Sequence, residues 1–146
     1  MHAFHTSLAL AALLCLSTPV HAGEGVVWTE LGDELAGANG APEMVMSGEL
    51  SDEDPGIATI SNLPANRRTF LFVGTVAANM PFKGGVLVPD TSLGPPAAFS
   101  SSDGEVVLSI TVVGLPPGAD LYFQTWVNDP TGPEGGTATN AWKATT

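Results

Sequence analysis

Turn-forming residues interrupt this chain too often for long helices. Its 146 residues hold 17 glycines and 12 prolines. Between these breaks lie short apolar runs rich in β-branched and aromatic side chains. A helix needs about ten or more residues of 3.6-fold patterning, whereas a strand needs only about four to eight. Punctuation this dense therefore favours strands. Residues 105–112 show it most clearly. Val106, Leu108, Ile110 and Val112 fall on one side, and Glu105, Ser109 and Thr111 on the other, the period-two pattern of a half-buried strand.

The same reasoning predicts strands at 43–49, where Met44 and Met46 alternate with Glu43, Val45 and Ser47, and at 57–63. Residues 69–76 are apolar on both faces, which suggests a central or doubly covered strand. Short strands are expected at 85–88 and 97–100, a long aromatic one at 121–129, and a closing one at 138–144. Asp103-Gly104 reads as a hairpin turn. The connectors 63–66 and 115–118, Leu-Pro-Ala-Asn and Leu-Pro-Pro-Gly, read as similar corners. One helical turn fits at 31–36. Seven or eight short strands in one domain point to an all-β fold, an antiparallel two-sheet β-sandwich of Greek-key, immunoglobulin-like type.

The first residues read differently. Residues 8–16 form an apolar run too short to span a bilayer and right for the core of an export signal. Val20-His21-Ala22 supplies small residues at the right spacing, so cleavage is expected between Ala22 and Gly23. The expected organisation is a signal peptide over 1–22 and one domain over 23–146, with no transmembrane segment. Leu14, where a small residue would be needed, argues against lipid attachment at Cys15. Removal of the signal takes away His2, His5, His21 and Cys15, the only histidines and the only cysteine. The remaining chain forms no disulfide, no Ser-His-Asp triad and no thiolate site, and zinc loses its usual ligands. The net charge of −11 lies wholly within the mature part. It opposes nucleic acid and anionic lipid and leaves room for cations.

Carboxylates remain. Two of them across a cleft would suffice for a glycoside hydrolase, but their geometry is not written in the sequence. Calcium asks only for oxygen ligands. The candidates are Asp52, Glu53 and Asp54 in one cluster and Asn128, Asp129 and Glu134 in another. Both also read as solvated turns, the preferred reading, because Asp, Asn, Gly and Pro are the usual turn residues. No catalytic residue is assigned. A Ser-x-x-Lys pair fails because Met80 and Asn140 stand where serine would be needed. Tyr122 and Trp126 share one side of the aromatic strand and could form a ligand face, with Phe123 on the other side. Core packing is the preferred reading. Trp28 and Trp142 are expected to pin the ends of the domain. Lys83, one of four basic residues, stands before Gly84-Gly85 in a turn that Phe82 can anchor.

The segment Met80-Pro-Phe-Lys-Gly-Gly, the strand at 121–129 with its following Asp-Pro, and the closing residues 137–146 resemble a β-rich module of unknown function. That module occurs in secreted bacterial proteins, often at the C-terminus. The resemblance covers about residues 28–146 and implies secretion and a β-rich domain; it implies no reaction. The expected function is therefore a secreted, non-enzymatic sandwich with an interaction or surface role, its partner an extracellular protein or polysaccharide. A carbohydrate- or calcium-binding module is the alternative, and a carboxylate-only hydrolase a third reading.

Overall fold

The computed structural model describes residues 4–11, by backbone path, and 25–146. Among the described residues there is no helix and there are twelve strands: β1 (Phe4–Ala11), β2 (Val27–Gly32), β3 (Glu43–Ser47), β4 (Gly56–Ser61), β5 (Thr69–Gly74), β6 (Ala77–Phe82), β7 (Gly85–Pro89), β8 (Ala97–Phe99), β9 (Val106–Val113), β10 (Asp120–Asn128), β11 (Gly136–Ala138) and β12 (Ala141–Thr145). They form three sheets. One has the order β1-β9-β4-β3, a second β2-β12-β10-β5-β8 with β11 also paired to β10, and the third is the β6-β7 hairpin. β1 runs parallel to β9; the other strand pairs are antiparallel. β1 overlaps the segment expected to be an export signal. Cys15 and the expected cleavage point at Ala22 and Gly23 lie outside the described residues.

Period-two alternation builds the core. β9 buries Val106, Leu108, Ile110 and Val112, and its neighbours bury Ala58, Ile60, Met44 and Met46. These meet Leu71, Val73, Leu121, Phe123, Val127 and Ala144 of the second sheet in a single cluster. Each large side chain so buried stabilises the fold by about 1.5–3 kcal/mol. Trp28 packs 5.5 Å from Phe123, ring to ring, and donates its indole N–H to the Gly48 carbonyl. Trp142 donates to the Met44 carbonyl at 2.7 Å. Both tryptophans tie the flanking strands β2 and β12 across to the β3 side.

Several expectations are corrected. Twelve strands replace seven or eight because β1 falls in the segment expected to be a signal, and β2, β6 and short β11 carry few of the alternating apolar residues that mark a strand in sequence. The helical turn at 31–36 is absent: residues 27–32 extend to pair with β12, and Leu35 bridges to Ala138. Asp103-Gly104 does turn, with Gly104 at φ 85°, but it joins no hairpin. β8 and β9 on either side of it lie in different sheets, and the Ser101 hydroxyl organises the crossing by accepting from the Gly104 N–H.

The two proline-bearing connectors do the same work. Each carries the chain from the first sheet to the second, β4 to β5 and β9 to β10. Each has left-handed residues at the same two positions, Asn62 (φ 56°) and Asn66 (φ 58°) in one, Gly114 (φ 87°) and Gly118 (φ 78°) in the other. Asn and Gly are the residues that accept this conformation most readily.

Candidate functional site

Alternation along β10 and β5 gives the second sheet two useful faces. Phe123 and Val127 enter the core shared with the first sheet, which sends Gln124, Trp126 and Asn128 to the opposite side. On β5, Leu71 and Val73 enter the core and Phe70 and Phe72 turn outward. The β6-β7 hairpin lies over this outer face. Leu87, Trp126 and Ala138 form a second buried cluster there, with Leu35, Phe72 and Phe82 packed against it. Phe82 meets Trp126 edge-on at 4.9 Å and 81° and Phe72 at 6.3 Å and 69°. The hairpin does not cover the whole face. It leaves a cleft of about 360 Å³ lined by Phe70, Phe72, Phe82, Lys83, Pro96, Trp126, Val127 and Asn128.

Gln124 fixes the hairpin above the sheet. It is fully buried, and its Oε1 accepts from the Val88 backbone N–H at 2.9 Å and from the Trp126 indole at 3.0 Å. Its Nε2 donates toward the carbonyls of Val86, Asp33 and Thr139. One amide thus connects β7, β10, the segment after β2 and the segment before β12. Buried polar groups are stable only when so satisfied. Nothing in the sequence marked Gln124, because a glutamine in an aromatic strand looks like an outward surface position.

Lys83 and Gly84 are the two central residues of the hairpin turn, with φ 47° and 85°, and Phe82 pairs with Gly85. Two consecutive left-handed residues describe a type I′ turn, which matches strand twist and favours Asn-Gly or Gly-Gly. Lysine at its first position is unusual, since left-handed backbone costs a residue with a Cβ about 1–2 kcal/mol. The Lys83 ammonium stands 5.7 Å from the centroid of the Phe82 ring, and its stem passes over Gly136, where a Cβ would lie 3.0 Å from Lys Cδ. The Arg68 guanidinium stands 5.8 Å from the Phe70 ring centroid but lines a separate pocket with Asn66, Ala98, Phe99 and Ser100. Glu134 borders the turn at Gly84, yet forms no salt bridge with Lys83.

The other predicted residues are dispersed. Trp126 lines the cleft; Tyr122 is not among its lining residues and is half-buried further along β10, opposite Lys143 and Gly74. Asn128 lines the aromatic cleft while Asp129 lines a separate pocket with Thr137. Asp129 accepts from the Thr131 N–H and hydroxyl at 2.9 and 2.7 Å, and Glu134 is exposed. Asp52, Glu53 and Asp54 are exposed between β3 and β4, where the Asp54 carbonyl accepts from Glu49 and Ser51. Among the described residues no three His, Cys, Asp or Glu side chains converge as a metal site. A group missed in the sequence is Glu30, Glu34 and Glu43, which line a pocket of about 270 Å³ with Asn140. The Asn140 amide donates to Glu30 at 2.6 Å. These are carboxylates on which a glycoside hydrolase would draw. Comparison of the chain with protein-family models, with curated proteins and with solved structures finds no match.

Proposed function

We propose that the chain is exported and that residues 23–146 form a non-enzymatic binding module acting outside the cell, built as an immunoglobulin-like sandwich. Strand order supports the fold reading. β3-β4-β9 stand in the order of strands A, B and E, and β8-β5-β10-β12 in the order of C′, C, F and G, with the chain crossing between sheets as in a Greek key. The absence of histidine and cysteine after residue 22 supports binding over catalysis. The N-terminal apolar run and the likeness to a module of secreted bacterial proteins support export.

The observation that carries the binding reading is the aromatic cleft beneath the hairpin. It is concave, mostly apolar, and sized for a small ligand or one unit of a larger one. A fragment screen followed by ¹H–¹⁵N NMR tests it. Hits that shift the Trp126 indole N–H together with the Lys83 and Asn128 amides support the module. Hits scattered elsewhere, or none at these groups, refute it. A polysaccharide ligand is the second reading, favoured by the rings lining the cleft, on which the apolar face of a sugar packs. Binding on a glycan array that is lost in Phe82→Ala would select it.

A further inference from the structure

The cleft holds a lysine in its wall, in a molecule that has few cations. Only four residues of the chain are basic, against fifteen acidic ones. Two of those four, Lys83 and Arg68, stand over phenylalanine rings that line the cleft, at 5.7 and 5.8 Å from the centroids of Phe82 and Phe70. Among the described residues, none that line it is acidic. The lysine also occupies a left-handed position where Asn or Gly would be easier. A strained residue retained at the edge of a cavity points to a role in that cavity.

Resting on the binding role proposed above, we infer that the cleft takes a small anion with an apolar ring, an arylalkyl carboxylate. Its ring packs among Phe70, Phe72, Phe82 and Trp126, and its carboxylate pairs with Lys83. The volume of about 360 Å³ fits one or two rings. Lys83 offers a charge-assisted hydrogen bond that, among the described residues, no carboxylate already takes. The excess of carboxylates elsewhere on the surface repels the same anion, so Lys83 gives the cleft a local attraction. Neutral ligands of the same shape gain only the apolar part.

The test titrates the purified protein with 3-phenylpropanoate and with its neutral amide, reading the Trp126 indole N–H and the Lys83 amide by NMR. The acid is expected to bind about tenfold more tightly than the amide, and the difference is expected to shrink as salt screens the pair. Lys83→Asn, which suits the turn but carries no charge, and Lys83→Gln are both expected to remove the preference. Lys83→Arg is expected to keep it. Equal binding of acid and amide at Trp126 overturns the anionic ligand and leaves the binding module standing. A preference for the acid that survives Lys83→Asn overturns the assignment to Lys83. Absence of binding by either probe at the cleft, with the fold intact by its spectrum, overturns the ligand class.

Discussion

Two residues decide how the outer face of the second sheet is used. Lys83 holds a backbone conformation that favours Asn. Lys83→Asn and Lys83→Gln both remove the charge and its contact with Phe82, but only Asn relaxes the turn. Thermal unfolding is therefore expected to show the Asn variant more stable than the Gln variant by about 1 kcal/mol. Gln124 is the other. Gln124→Leu keeps the volume and strands the Val88 N–H and the Trp126 indole N–H without acceptors. Leaving buried donors unpaired costs about 1–3 kcal/mol each. Urea denaturation is expected to show a loss of about 2–4 kcal/mol, with the cleft residues shifting in the spectrum. The type I′ turn was half legible in sequence, since Gly84-Gly85 announces it. The role of Gln124 was not, because apart from Trp126 its partners lie 15 to 91 residues away in the chain.

At the scale of elements, the β6-β7 hairpin is a layer of its own, and what joins it to the second sheet is local and specific. Asp90, just after β7, receives the chain leaving β5: its carboxylate accepts from the Thr75 and Val76 N–H groups at 3.0 and 3.3 Å, and its N–H donates to the Val76 carbonyl. This closure depends on Gly74. A Cβ there would come within 2.5 and 2.7 Å of the Asp90 carbonyl oxygen and nitrogen, and backbone atoms have little room to yield. Gly74→Ala is expected to destabilise the protein by about 2 kcal/mol or more, and to do so by lifting the base of the hairpin. Amide exchange should show β6 and β7 losing protection while β9 and β10 keep theirs. In sequence, 69–76 read as one continuous strand. The turn begins earlier because Gly74 must pass against Asp90, a contact that local patterning does not encode. β6 escaped notice for a similar reason: Asn79, Met80 and Pro81 are exposed and show no alternation.

The whole molecule carries a net charge of −11 and, with a single cysteine, forms no disulfide within the chain. Self-repulsion of this kind weakens the compact state, and salt screens it over a Debye length of about 10 Å at 0.1 M. The melting temperature is expected to rise as sodium chloride is raised from about 20 to about 500 mM, measured by circular dichroism. A fall over that range would show that specific ion pairs outweigh the general repulsion. The main sheets share one cluster, so they are expected to unfold together in that measurement.

The amino-acid sequence by itself determined that the chain is all-β. Period-two patterning and frequent turn residues are local properties, and they placed most strands within a few residues. It also determined the chemistry open to residues 23–146, because a missing histidine or cysteine cannot be restored by folding. The tertiary structure alone decided where those residues meet. It brought Lys83 to a cleft lined by Phe70, Phe72, Phe82 and Trp126, gathered four chain segments around Gln124, and put Asn128 and Asp129 in different pockets. Such convergence depends on pairing between segments far apart in the chain, and neither composition nor spacing records which segments those will be. The stretch from Pro81 to Pro89 is the clearest instance. Its glycines announced a turn, and only the packing of that turn over β10 made its lysine part of a cleft.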